Sequence, residues 1–216
     1  MTAHDFIYLA SQSPRRSQLL RQIGVAHRLL LPDAHEDAEA LEAALPGELP
    51  RDYVARVTLR KLRAARARLA RSGLPAAPIL CADTTVALGR RMLGKPADAA
   101  DAAATLRTLS GRSHRVLTAV ALSHGRRTLQ STNVSTVRFA VLDDAFIAAY
   151  IAAGEPFGKA GAYAVQGAIA GWIEGLSGSH SAIMGLPLFE TTRLLLQARV
   201  KLHLKASATP DTEQIT

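Results

Sequence analysis

The chain has 216 residues, a formal charge of +8 and a composition that is 48% hydrophobic, enough for a sizeable core in one large domain or two small ones. Its single cysteine excludes an internal disulfide and a cysteine-based zinc cage, and no stretch approaches the roughly 18 apolar residues of a membrane span. Asp5, Arg15, Arg16 and Arg21 interrupt any apolar region of a signal peptide, so the expected location is the cytoplasm. The positive balance favours an anionic partner: a nucleotide, another phosphate or nucleic acid.

Phe6 to Ala10 reads as a first strand. Ser13 is placed to cap the helix that follows, with Pro14 as its first residue and Gly24 as its stop. Arg15 and Arg16 fall in its first turn, where the helix dipole disfavours them by about 0.3–1 kcal/mol each unless an anion is bound. Val25 to Leu31 reads as a second strand running into an acidic segment with Asp33, Glu36, Asp37, Glu39, Glu42 and Glu48. Most of these carboxylates are expected on a solvated face; Glu36 or Asp33, soonest after the strand, is the one expected at a site.

Arg51 to Ser72 has the period of a long helix. Val54, Val57, Lys61 and Ala65 share its apolar stripe, which aims the Lys61 ammonium at a cleft. Arg56, Arg60, Arg63 and Arg66 form a basic face that suits nucleic acid, although no base-stacking aromatic lies beyond Tyr53 and no groove-reading motif is present. Pro78 to Ala82 reads as a buried strand ending at Asp83, which places this carboxylate at the rim of a sheet, where open α/β folds bind ligands. Gly89, Gly94 and Lys95 follow as a turn and a phosphate-seeking cation.

Asp98 is expected to cap a helix through Leu109 with Ala103, Leu106 and Leu109 inward. Val116 to Ser123 and Thr128 to Phe139 read as an antiparallel pair across a turn at His124-Gly125-Arg126. Asp143 or Asp144 caps a helix with Phe146, Ile147, Tyr150 and Ile151 as its stripe. The block from Glu155 to Gly167 is rich in small residues, with Lys159 and Gln166 as its reaching polar groups; the glutamine amide, both donor and acceptor, suits a base edge. Ala168 to Leu176 and His180 to Met184 read as short strands, and a last helix runs from about Gly185 to Val200. The expected organisation is a domain over residues 1–200 with a frayed tail over 201–216.

The alternation implies an α/β fold with a mixed sheet. Arg15, Arg16, Glu36, Lys61, Asp83, Lys95, Lys159 and Gln166 collect at segment ends. Carboxylates to hold a hard cation, with a ring of positive charge, are what metal-assisted attack on a polyphosphate needs. No Walker pattern, serine elbow or histidine–zinc spacing competes.

With these motifs in view, the sequence resembles the Maf family of nucleoside triphosphate pyrophosphatases. The opening block Leu9-Ala10-Ser11-Gln12-Ser13-Pro14-Arg15-Arg16 carries the likeness. It continues in order through Ala82-Asp83-Thr84, Leu93-Gly94-Lys95-Pro96, Leu109-Ser110-Gly111-Arg112 with His114, Lys159-Ala160-Gly161-Ala162-Tyr163 with Gln166-Gly167, and Gly185-Leu186-Pro187-Leu188.

The resemblance implies a twisted mixed sheet in two lobes around a central cleft. It also implies hydrolysis between the α and β phosphates, a divalent cation (Mg2+ or Mn2+) and a homodimer. It puts Asp83 at the proton acceptor, Glu36 with Asp83 at the metal, and Arg16, Lys61 and Lys95 on the phosphates, where Lys159 joins them as a further cation. Arg15, Thr84 and Gln166 match positions of base selectivity, and the Lys159 block resembles the subgroup acting on dTTP and UTP. That subgroup has aspartate before the lysine where this chain has Gly158, so a second carboxylate near the metal is expected to be missing. The alternative is a nucleotide- or nucleic-acid-binding regulator of septum formation using the basic helix; the scarcity of aromatics makes nucleic acid the less expected partner.

Overall fold

The computed structural model describes residues 3–32, 36 and 40–203. Among these, seven strands form one mixed sheet. In chain order the elements are β1 (Ile7–Leu9), α1 (Pro14–Gln22), β2 (His27–Leu29), α2 (Pro50–Arg71), β3 (Ile79–Leu88), β4 (Arg91–Leu93), α3 (Ala99–Leu109), β5 (Ser113–His124), β6 (Arg127–Phe139), α4 (Asp144–Ala152), β7 (Ile173–Ser177), α5 (His180–Ile183) and α6 (Leu188–Gln197). The strand order is β2-β1-β3-β5-β6-β7, with β4 paired to β3. Contacts β2–β1 and β1–β3 are parallel, and the rest are antiparallel. The mixed α/β architecture anticipated from the sequence is therefore present.

β3 decides where a site can form. It does not end at Asp83, as the apolar run suggested, but continues to Leu88. Thr84, Thr85 and Val86 are β-branched and suit a pleated, packed surface, and nearly the whole strand is buried. On one edge β3 pairs with β5 from Ile79 to Ala87. On the other, β1 pairs only as far as Leu80, where Ala10 N–H donates to the Leu80 carbonyl at 2.9 Å, and β4 joins only at Val86. The sheet thus has a gap one strand wide beside Ala82 to Thr85.

Alternation along β3 then sorts its side chains to two faces. Ile79, Cys81 and Ala87 face α2, packing with Tyr8, Leu117, Ala119 and Ala121 against Val54, Leu62 and Ala65. Leu80 and Ala82 join a core with Leu19 and Leu20 of α1 and Leu194 and Leu195 of α6. Val86 joins a separate core with Leu106 and Leu109 of α3 and Ile147 and Tyr150 of α4. On this face two lobes of packing meet at the level of Thr84.

Several expectations are corrected here. The His180 segment is a short helix, not a strand, because the Ser179 hydroxyl caps it by accepting from Ala182 N–H at 3.2 Å. Residues Ala168–Trp172 form a 3₁₀ turn, leaving only Ile173–Ser177 extended. Ser13 occupies the N-cap of α1 but makes no side-chain cap bond; Ser11 Oγ accepts from Ser13 N–H instead. Asp98 and Asp143 do cap α3 and α4. Lys201 and His203 are not frayed: their N–H groups donate to His4 and Gly24 carbonyls at 2.9 and 2.7 Å. The remainder of the expected tail lies outside the described residues.

His114 is buried between Phe139 and Tyr163, its Nε2 sharing a 2.8 Å hydrogen bond with the Tyr163 hydroxyl. Burial pushes its pKa down to about 4, below the ordinary value of about 6.5. The unfolded chain therefore takes up this proton first as pH falls. Stability from the neutral imidazole is complete above about pH 6.5 and is lost as pH drops toward 4, amounting to about 3 kcal/mol across that window. Denaturant melts from pH 7 to pH 4 should show this slope, and His114→Gln should flatten it.

Candidate active site

The gap in the sheet opens into a cavity of about 500 Å³, within the range of small-molecule sites. One wall is the loop from Ala10 to Ser13 and the first turn of α1. The floor is Ala82 to Val86 of β3. Lys61, Tyr53 and Arg68 reach in from α2, Glu42 from a 3₁₀ turn, Lys95 from beyond β4, and Phe157 to Ala160 with Tyr163 close the far side. Gly161 seats that far side: a Cβ on it would come within 2.8 Å of the Val86 side chain, and its N–H donates to the Gly94 carbonyl at 2.9 Å. Because the gap passes through the sheet, Asp83 and Thr84, which face opposite sides, both line the cavity.

Its walls carry six cations, Arg15, Arg16, Lys61, Arg68, Lys95 and Lys159, against three carboxylates, Glu36, Glu42 and Asp83. Lys61 is the hub. Its ammonium donates to Asp83 Oδ1 at 2.6 Å and to Glu42 Oε1 at 2.7 Å, while Lys95 reaches Glu42 Oε2 at 3.0 Å. Burial works to raise the Glu42 pKa, but Lys61 and Lys95 outweigh it and hold the carboxyl below its ordinary value. Tyr53 donates its hydroxyl to the Glu42 carbonyl at 2.9 Å, and burial, then Asp83 and Glu42, push its pKa up to about 12. Arg16 is held by Gly185 O at 2.8 Å and Ser11 Oγ at 3.1 Å. Burial lowers its pKa and the Asp83 charge opposes that fall. The Lys159 pKa is also lowered, by burial and then by Arg15; its ammonium donates to the Glu155 carbonyl.

A sequence profile of the family described as Maf-like protein matches residues 6–198. The chain belongs to the Maf family. A protein from Albidiferax ferrireducens named dTTP/UTP pyrophosphatase is 63% identical over 191 residues, covering 88% of this chain and 96% of that protein. Relatives of the same name from Ralstonia nicotianae and a Polaromonas species are 62% and 59% identical, covering 92% and 94% of this chain and 97% and 100% of theirs.

Within this Maf fold the residues singled out in the sequence divide unevenly. Arg15, Arg16, Lys61, Asp83, Thr84, Lys95 and Lys159 all line the cavity. Gln166 does not: it is exposed on a turn that Glu155 pins by accepting from Ala168 N–H at 3.2 Å. Glu36 reaches the wall, but Arg68 holds both its carboxylate oxygens. Asp33 lies outside the described residues. Glu42 was not singled out, being one of six acids in a segment without periodicity; only the fold shows it beside Asp83. It sets a second carboxylate beside the Lys61–Asp83 pair. The basic face of α2 is partly consumed inside the chain, Arg56 by Glu48 and Arg66 by the Arg127 carbonyl.

Among the described residues, no three His, Cys, Asp or Glu side chains gather as a ready cage. Asp83 and Glu42 nonetheless offer hard oxygen donors within reach of one ammonium. That suits a magnesium-like ion, which is commonly held by one or two carboxylates together with substrate phosphates and water. Replacing Lys61 by Met removes the main cation beside Glu42. With that cation gone, the Glu42 carboxyl should titrate higher than in the wild-type protein, as read by NMR of its side-chain carbon.

Proposed function

We propose that this Maf protein hydrolyses dTTP and UTP to the nucleoside monophosphate and pyrophosphate. The observation that carries the reading is the cavity itself, with an excess of cations around two carboxylates joined through Lys61. Such a surface attracts a polyanion and concentrates charge stabilisation where phosphate oxygens gain charge. The names of the relatives support the choice of base.

Arg16, Lys61, Lys95 and Lys159 neutralise the triphosphate. Asp83 takes the proton from a water whose oxygen bonds the α-phosphorus, and the bond from that phosphorus to the bridging oxygen breaks, releasing pyrophosphate. Asp83 and Glu42 would hold a divalent cation, Mg2+ or Mn2+, which supplies further positive charge to the phosphates. Glu36, clamped by Arg68, orders the wall and stands further from the metal role than Glu42. Arg15 and Thr84 face the base, and Gln166 has no part in reading it. The enzyme is proposed to work in the cytoplasm as a homodimer; in the structure, no helix among the described residues is long and apolar enough to cross a membrane.

Incubation of dTTP in 18O-labelled water should place the label in the monophosphate and leave pyrophosphate unlabelled. Label in pyrophosphate, or release of orthophosphate, contradicts attack at the α-phosphorus. Asp83→Asn should reduce kcat by about 100-fold or more with an unchanged melting temperature in the absence of substrate to within a few degrees. Glu42→Gln should raise the metal concentration needed for half-maximal activity. An unchanged metal requirement would remove Glu42 from the cation's donor set.

A further inference from the structure

Thr118 sits on β5 directly opposite Thr84 and is fully buried. Its hydroxyl oxygen lies 2.7 Å from the Ala182 carbonyl oxygen of α5 and 3.0 Å from Thr84 Oγ1. A carbonyl can only accept, and two oxygens at that separation repel unless a hydrogen lies between them. Thr118 has one hydrogen, so it is committed to Ala182. The contact between the two hydroxyls therefore needs the hydrogen of Thr84. With that hydrogen spent inward, Thr84 Oγ1 has only lone pairs left for the cavity it lines. Gly185 keeps the approach open: its Cα stands beside Thr84, where a side chain would begin 3.7 Å from Oγ1.

We infer that Thr118 is a positioning residue that fixes Thr84 as a hydrogen-bond acceptor toward the nucleobase. This rests on the proposed pyrophosphatase reading and specifies how the base is chosen. Thymine and uracil present an N3–H donor between two carbonyls, and that donor meets the acceptor. Cytosine presents a bare N3 at the same position, so lone pairs face lone pairs. Discrimination between these rings comes from the direction of one hydroxyl hydrogen, held from the strand behind it. The cost of a mismatched polar pair in a partly buried site is larger than the gain from a matched one.

The test is a double-mutant cycle at Thr118 and Thr84, read as the ratio of kcat/KM for dTTP over dCTP. In Thr118→Val the shape is kept, but Thr84 is released to turn its hydrogen into the cavity. The ratio should fall by about tenfold, through a higher KM for dTTP and a lower one for dCTP. Thr118→Ser, which restores the hydroxyl, should keep the wild-type ratio. In a Thr84→Val background, Thr118→Val should change the ratio no further. Thr118→Ala makes the same deletion should the valine variant fail to fold. A wild-type ratio in the folded valine or alanine variant, or an equal effect in the Thr84→Val background, overturns the inference while leaving the proposed activity intact. A wild-type protein that turns over neither dTTP nor UTP overturns both.

Discussion

Adjacent residues of a β-strand point to opposite sides of the sheet, so they do not ordinarily serve one cavity. In this protein they do, because β1 stops at the level of Leu80 and β4 begins only at Val86. Everything assembled at the site depends on that interruption. Asp83 meets Lys61 on the α2 side, Thr84 meets Thr118 and α5 on the other, and the gap between joins the two spaces. The helices pack as they do because the same alternation supplies one apolar face to α2 and two separate apolar patches to the remaining helices.

The charge arrangement follows from this geometry. A carboxylate in a buried strand is costly unless it is paired, and Lys61 pairs with Asp83 from the apolar stripe of a long helix. Lys61 also recruits Glu42, and Glu42 in turn recruits Lys95. One ammonium therefore ties together a strand, a helix and a connecting turn that are distant in sequence. These charges hold one another in place through direct contacts across the cavity wall.

Much of this was legible in the sequence, though not always for the right reason. The sequence pattern places Asp83 at the end of an apolar run, whereas it lies within a strand whose partner is missing, a feature no single-strand pattern records. Helical periodicity, a strong local signal, brings Lys61 toward a cleft, and the structure has it on the cavity wall. Capping by Asp98 and Asp143 was readable for the same reason, the side chain and the N–H it accepts from being three residues apart. Glu42 was hidden among other acids, since the 3₁₀ turn that aims it has no periodic signature. Thr118 was invisible because its role needs the register of β5 on β3 and the backbone of α5, which are separated by 64 residues at the Ala182 contact. Gln166 reads as a base-edge amide from its chemistry, but the fold leaves it exposed on a turn outside the cavity lining.

The alternation on β3 also divides the labour of the cavity between two faces of the sheet. Asp83, proposed for hydrolysis, is backed by α2 through Lys61, while Thr84, proposed for the base, is backed by α5 through Thr118. The contacts behind Thr84, to Thr118 and through it to Ala182, share no side chain with those of Asp83 to Lys61. A single strand with one missing neighbour thus lets a carboxylate and a hydroxyl backed by different helices serve one cavity from its two sides.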